Sequence, residues 1–147
     1  MFPRWVFIVL AAAMAGNAFA AGLDYRSVVD PAAVLYDAPS AKSKKLYVVS
    51  QGYPFEILVV VEGWSKVRDA NGALTWIESK HLADKRTVLV KVPLAQVHER
   101  ADDGAPVVFQ AQQNVLLELL EVAGSWLRVR HRDGQAGFIK VTQAWGA

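Results

Sequence analysis

The chain has 147 residues, no cysteine, and 16 basic against 14 acidic side chains, which gives a formal net charge of +2. Without cysteine it forms no disulfide, no cysteine-based metal site and no lipid-modified cysteine. The near balance of charge argues against nucleic-acid binding, because nucleic-acid-binding proteins concentrate positive charge on one face. The best basic stripe is Arg128, Arg130 and Arg132, which alternates with Leu127 and Val129 as the solvated face of a strand does.

The first twenty residues have the pattern of a signal peptide. Arg4 precedes an apolar run at 6–15, and Ala18-Phe19-Ala20 supplies the small-x-small pattern of a cleavage site. The run is shorter than the roughly 20 residues that span a bilayer, so a retained anchor is the less favoured alternative. We therefore predict a signal peptide at 1–20 and a periplasmic or secreted mature protein that meets the membrane only during export.

After this leader the sequence repeats itself. The segment from Trp64 to Ile77 returns 62 positions later, from Trp126 to Ile139, and no gap is needed from Val28/Val90 onward. The identical pairs under this shift include Pro31/Pro93, Gln51/Gln113, Glu56/Glu118, Trp64/Trp126, Arg68/Arg130, Gly72/Gly134 and Ile77/Ile139. We predict two copies of one domain, at 28–83 and 90–145, which leaves little room for a separate catalytic unit.

Each copy has a hydrophobic period of two, which is typical of half-buried strands. The strands that begin at Trp64 and Trp126 carry cations on the same side as the tryptophan. Asn71-Gly72 and Asp133-Gly134 then provide turn residues that tolerate positive φ.

The remaining strands follow from the same pattern. Return strands are predicted at 74–78 and 136–140, the most buried strands at 55–61 and 116–122, weaker strands at 33–36, 45–49, 95–99 and 107–110, and single 3₁₀ turns at 79–82 and 141–144. Five short strands in so few residues can close into a small barrel, which also hides the sheet edges. The connector at 83–87 is short, so we expect the two domains to contact each other.

The strand order and its marker residues resemble the bacterial SH3-like (SH3b) domain family in its exported tandem form. In the first copy these residues are Val34-Leu35-Tyr36-Asp37-Ala38-Pro39-Ser40, Gly52, Gly63-Trp64-Ser65-Lys66-Val67, Gly72 and Thr75-Trp76-Ile77; the second keeps Trp126-Leu127-Arg128-Val129, Gly134 and Gly137-Phe138-Ile139. Asn114 replaces the mid-domain glycine there. The resemblance implies an all-β fold of two tandem SH3-like barrels that lack catalytic residues and bind cell-wall peptides or envelope proteins.

A proline-peptide ligand of the eukaryotic SH3 type is a weaker alternative. The opening Val34-Leu35-Tyr36-Asp37 favours it, since a polyproline helix docks on aromatic ridges. Glu78 and Lys140 stand where that pattern has proline, His81 and Gln143 stand where it has tyrosine, and the first loop is lysine-rich instead of acidic.

Aromatic residues are the candidate ligand-binding residues. Tyr36, Trp64 and Trp76 would line a shallow groove in the first domain, with Trp126 and Phe138 as counterparts in the second. For Trp76 and Phe138 we favour a place in the cores over a place in this groove. Trp64 and Trp126 either line the groove or pack between the domains or under loops.

A lysine-rich loop is the second candidate region. Lys42, Lys44 and Lys45 would meet acidic groups such as the carboxylates of a wall peptide, unless the loop is merely solvated. Asp102-Asp103 takes the corresponding place in the second copy, so the two copies are not expected to bind one ligand identically.

The sequence offers little for catalysis. There is no cysteine and no Gly-x-Ser-x-Gly motif, and the histidines at 81, 98 and 131 occupy unmatched positions in the repeat. No cofactor or metal is expected. The favoured function is therefore non-enzymatic binding of a peptidoglycan peptide or similar extended peptide or glycopeptide in the cell envelope. The alternative is a periplasmic protein-interaction or scaffold module that does not bind murein.

Overall fold

The computed structural model of the chain describes residues 24–147, so the predicted signal peptide lies outside the described residues. These residues form fourteen strands and two 3₁₀ turns, Ser79–His81 and Val141–Gln143. Domain 1 contains β1 (Tyr25–Val28), β2 (Ala32–Tyr36), β3 (Lys45–Ser50), β4 (Pro54–Val61), β5 (Trp64–Arg68), β6 (Leu74–Glu78) and β7 (Leu82–Ala83). Domain 2 contains β8 (Thr87–Val90), β9 (Leu94–His98), β10 (Val107–Gln112), β11 (Leu116–Ala123), β12 (Trp126–Arg130), β13 (Ala136–Lys140) and β14 (Ala144–Trp145).

The two domains share one strand order. The first sheet runs β3-β2-β6-β5-β4-β1-β7, and the second runs β10-β9-β13-β12-β11-β8-β14. The repeat therefore folds as two tandem SH3-like all-β domains, which confirms the predicted fold class. Two strands in each domain were not predicted. β1 and β8 begin before the predicted domain starts at 28 and 90, and β7 and β14 are only two residues long, too short for a periodic pattern.

Each sheet folds around its own apolar core. Domain 1 buries Val28, Ala33, Leu35, Phe55, Val67 and Ile77, and domain 2 buries Val88, Val90, Ala95, Val97, Ala111, Leu117, Leu127, Val129, Ile139 and Ala144. These sets follow the alternation of the strands, because successive side chains of a strand point to opposite faces. The inward positions predicted for Leu127 and Val129 are confirmed, with 1% and 0% of each residue exposed.

The prediction that 55–61 and 116–122 are the most buried strands is wrong for their second halves. β4 is buried from Pro54 to Glu56, but Val60 is 62% exposed, as Val122 of β11 is 60% exposed. The reason lies in the pairing: β1 covers only Pro54–Glu56, and beyond that point β4 pairs with β5 alone. The continuous apolar run therefore extends past the core.

The turn residues behave as the repeat predicts. Gly72 and Gly134 have φ of 85° and 96° in the loops that precede β6 and β13. Asn114 has a φ of 71°, close to the 87° of Gly52 at the corresponding position of domain 1. Asparagine is one of the few residues that visit this left-handed region, so the replacement preserves the turn.

The domains are in contact, as the short connector predicted. The Thr87 hydroxyl donates to the Gly52 carbonyl at 2.6 Å, and the Arg86 guanidinium donates to the Gly146 carbonyl at 2.9 Å. The ring of Tyr25 packs edge to face against Trp145, with 5.5 Å between centroids. The C-terminal strand of domain 2 thus packs against the first strand of domain 1.

This contact predicts a loss of stability at alkaline pH. Burial raises the pKa of the Tyr25 phenol above 10.0, and the nearby Glu56 carboxylate adds to the effect. Tyrosine in the unfolded chain ionises near its ordinary pKa, so the folded state binds the phenolic proton more tightly. The stability that Tyr25 contributes is therefore complete below about pH 10 and is lost as the pH rises through the folded-state pKa.

The measurement is urea unfolding of the wild type and Tyr25→Phe at about pH 8 and at about pH 11. Tyr25→Phe should show a smaller alkaline loss than the wild type, because phenylalanine cannot ionise. Tyr47→Phe is the matched control, since Tyr47 is 60% exposed and should leave the alkaline loss unchanged. Identical alkaline losses in the wild type and Tyr25→Phe would contradict the prediction.

Candidate functional site

The three aromatic residues predicted for domain 1 lie together. Tyr36 of β2 is directly opposite Trp76 of β6, and Trp76 is opposite Lys66 of β5. Directly opposed residues of antiparallel strands point to the same face of a sheet. The Tyr36 and Trp64 rings meet edge to face, with centroids 5.2 Å apart. We call this surface, formed by Tyr36, Trp64 and Trp76, the domain 1 aromatic face.

This face is on the outside of the sheet and not in the core. Trp64 and Trp76 are half-buried, whereas Thr75 and Ile77 on either side of Trp76 are buried. The prediction that Trp76 is a core residue is therefore wrong. Tyr36 is only 7% exposed, so it supports Trp64 from beneath more than it offers free surface. Edge-to-face aromatic pairs add about 0.5–1.5 kcal/mol beyond burial, which favours a rigid surface.

Cations surround the domain 1 aromatic face. Lys45, the first residue of β3, is opposite Tyr36, and Lys66 is opposite Trp76. Glu78 lies opposite Trp64 and forms an ion pair with Lys80 at 3.3 Å. Of the three predicted lysines, strand pairing thus brings Lys45 to the face.

The other two predicted lysines are on the loop that leads into β3. Lys42 and Lys44 are exposed, and the Lys44 backbone N–H donates to the Asp37 carboxylate at 3.0 Å. This bond orders the backbone of the loop and leaves both side chains exposed to solvent.

Domain 2 carries a corresponding face with a different third member. Trp126 and Phe138 occupy the positions of Trp64 and Trp76, and His98 takes the place of Tyr36. His98 is opposite Phe138, and its ring meets Trp126 edge to face at 5.6 Å. We call His98, Trp126 and Phe138 the domain 2 aromatic face. Phe138 is half-buried on this outer face, so its predicted placement in the core is also wrong.

His98 was not among the predicted site residues, because no other histidine lies 62 positions from it in the repeat. The repeat itself carries the signal, since a shift of 62 positions aligns His98 with Tyr36. His98 is 8% exposed, and its Nδ1 bonds to the Ala105 carbonyl at 3.0 Å. A carbonyl oxygen only accepts, so Nδ1 carries the proton and donates it.

The two faces differ in charge. In domain 2, Lys140 is opposite Trp126, with its Nζ 5.8 Å from the ring centroid and 2.6 Å from the Asp103 carboxylate. Asp103 belongs to the loop that corresponds to the lysine-rich loop of domain 1. The Lys140–Asp103 ion pair therefore holds this loop beside Trp126. In domain 1 the position of Lys140 is occupied by Glu78, which is opposite Trp64. This difference supports the prediction that the two copies do not bind one ligand identically.

Within residues 24–147, no three or more histidine, aspartate or glutamate side chains are grouped so that they could hold a metal ion. The same residues contain no helix that is long and apolar enough to cross a membrane.

Comparison with known families identifies the repeat. A model of the bacterial SH3 domain matches residues 29–84 and 91–146, which together make up more than half of the chain. The chain belongs to the bacterial SH3 domain family. The two bacterial SH3 matches are separated by the same 62 positions as the sequence repeat.

Solved structures that are similar to this chain include three proteins. NlpC2 and NlpC1 from Trichomonas vaginalis each have 16% sequence identity and a TM-score of 0.40, over 86% of this chain and 49% and 46% of theirs. An NlpC/P60 family protein from Bacillus cereus ATCC 10987 has 16% identity and a TM-score of 0.38, over 82% of this chain and 55% of its own. The bacterial SH3 chain thus spans about half the length of these proteins. A comparison with curated proteins found no match.

Proposed function

We propose that this chain is a non-enzymatic binding protein of the cell envelope that holds a peptidoglycan peptide or a similar extended peptide or glycopeptide. The observation that carries the proposal is the convergence of Tyr36, Trp64 and Trp76 on one outer face of domain 1. Tryptophan and tyrosine offer rigid, amphipathic contact area with little conformational entropy to lose, which suits shallow recognition of peptides and sugars.

The charges beside this face match such a ligand. Lys45 and Lys66 are directly opposite Tyr36 and Trp76, where they can meet carboxylates of a wall peptide that lies across the aromatic rings. Lys42 and Lys44 extend the positive charge along the adjoining loop. A shallow face buries little ligand area, so the affinity of one domain should be roughly micromolar to millimolar. Two linked domains raise it only if both reach the same polymer.

The remaining observations favour binding without catalysis. Within residues 24–147, the three histidine side chains bond to Asp30, the Ala105 carbonyl and Asp133, and none bonds to a serine or threonine hydroxyl. Nucleophilic catalysis by serine or threonine needs a hydroxyl that such a base activates. The signal-peptide pattern of the first twenty residues supports a location in the periplasm or outside the cell, where a wall ligand is accessible.

Removal of the Trp64 ring should weaken binding to isolated sacculi at least about tenfold, since truncation of an aromatic hot spot costs about 2 kcal/mol or more and about 1.4 kcal/mol corresponds to tenfold. The measurement is co-sedimentation of the purified protein with sacculi at low salt, for the wild type and for Trp64→Ala. Tyr47→Ala is the matched control, because Tyr47 is an exposed aromatic of β3 outside the domain 1 aromatic face. Circular dichroism of each variant checks that it is folded.

Two results would count against the proposal. If the wild-type protein stays in the supernatant at low salt, it does not bind murein. If Trp64→Ala and Tyr47→Ala lose co-sedimentation equally, the domain 1 aromatic face is not the surface that binds the wall.

A scaffold role is the second candidate, and one surface favours it. β3 is at the end of the domain 1 sheet order and exposes Tyr47 and Val48 by 60% and 68%. Strands at a sheet edge can pair with an extended segment of another protein. Crosslinking in the native envelope distinguishes the two functions, since the first predicts adducts with murein and the second adducts with a protein.

A further inference from the structure

A groove of about 470 Å³ lies between the two domains, apart from both aromatic faces. Its lining residues include Gln51 and Gly52 of domain 1, Lys85 of the connector, and Asn114 and Arg130 of domain 2. Arg130 is four residues along β12 from Trp126, which is about 13 Å of strand. We call this space the interdomain groove.

Its lining includes a row of three opposed residues on adjacent strands. Thr87 of β8 is opposite Glu118 of β11, and Glu118 is opposite Arg130 of β12. The Arg130 guanidinium donates to the Glu118 carboxylate at 2.9 Å. The Glu118 side chain is 32% exposed, so the ion pair remains accessible from the groove.

The corresponding row of domain 1 is covered by packed side chains. Tyr25, Glu56 and Arg68 are opposed in the same way, with the same ion pair at 2.8 Å. There the Tyr25 ring packs against Trp145, and the Glu56 side chain is only 8% exposed. The small Thr87 replaces the tyrosine in domain 2 and leaves the space open. The groove is therefore a difference between two otherwise matching rows and not a general property of the fold.

Positive charge exceeds negative charge in the interdomain groove. Lys85 and Arg132 are both exposed lining residues, and among residues 24–147 neither has a carboxylate within 4.0 Å. Arg130 adds a third cation, against the single carboxylate of Glu118. Such a cleft attracts anions, and the guanidinium group matches the geometry of a carboxylate with two parallel hydrogen bonds.

We propose that the interdomain groove is a second binding site, which takes the side-chain carboxylates of an acidic peptide segment. Lys85 and Arg132 bind the carboxylates, while the Arg130–Glu118 pair and the Asn114 amide meet the peptide backbone. The site needs both domains, because both copies of the repeat contribute lining residues.

The test is titration of ¹⁵N-labelled protein with an acetylated, amidated triglutamate peptide, followed by amide chemical shifts. The resonances of Gln51, Asn114 and His131 should shift and saturate, and the triglutamine peptide should not shift them. The double variant Lys85→Gln/Arg132→Gln should weaken triglutamate binding at least about tenfold. Lys91→Gln/Arg100→Gln removes the same charge from exposed sites that do not line the groove, and should leave binding unchanged.

Three outcomes would overturn the proposal: equal weakening in both double variants, equal shifts with triglutamine, or equal shifts with inorganic phosphate at the same concentration. The same spectra show by their dispersion whether each variant is folded. Trp64→Ala should bind triglutamate like the wild type. A result that contradicts the interdomain groove is therefore distinguishable from one that contradicts wall binding at the aromatic faces.

Discussion

The substitution Phe55→Ala is expected to lower the free energy of unfolding of domain 1 by about 3–5 kcal/mol, the usual cost of removing a buried phenylalanine ring. Phe55 is fully buried, with 0% of the residue exposed, and it is the largest member of the domain 1 core. Its ring also contacts Tyr53, with 4.9 Å between centroids. A domain of this size has few other core residues that could repack into the cavity. A loss of this size would therefore remove much of its stability.

Urea unfolding, followed by tryptophan fluorescence, measures this effect, because Trp64 and Trp76 report on domain 1. Val60→Ala is the matched control: Val60 is on the same strand but is 62% exposed, and such surface changes usually stay within about 0.5 kcal/mol. Similar destabilisation by the two substitutions would mean that β4 does not present Phe55 to the core.

The substitution Gly137→Thr is expected to lower the free energy of unfolding of domain 2 by about 3 kcal/mol, at the upper end of what overpacking costs. A Cβ atom at Gly137 would be 2.6 Å from the His98 carbonyl oxygen and 2.7 Å from a methyl carbon of Val97. Backbone atoms cannot turn aside as a side chain can, so β13 would have to move away from β9. Domain 1 holds Thr75 at this position, so the close approach is particular to domain 2.

The measurement is again urea unfolding, with Ala136→Thr as the matched control. Ala136 is the preceding residue of β13 and is exposed, so the same side chain should fit there without strain. If Gly137→Thr is as stable as Ala136→Thr, a Cβ atom at position 137 fits beside the His98 carbonyl oxygen, and the prediction is wrong. Gly137→Thr should also shift the amide resonances of His98 and Phe138, because these two residues form the strand pair next to position 137.

Patterns of residues that are close in sequence were sufficient to predict much of the fold. The period of two places Val67, Leu127 and Val129 in the cores, and the turn glycines at 72 and 134 adopt the positive φ that their sequence predicted. The ungapped repeat predicts two copies with one strand order, as observed. These features are readable from the chain because alternation and turn conformation depend on residues that are close in sequence.

Contacts between distant strands decided the rest. The outer positions of Trp76 and Phe138 depend on how β2 meets β6 and how β9 meets β13. The exposure of Val60 depends on where β1 stops covering β4. The interdomain groove depends on Thr87, Glu118 and Arg130 in three separate strands and on Gln51 in the other domain. No local pattern records such a site, because its residues become neighbours only through strand pairing and domain packing.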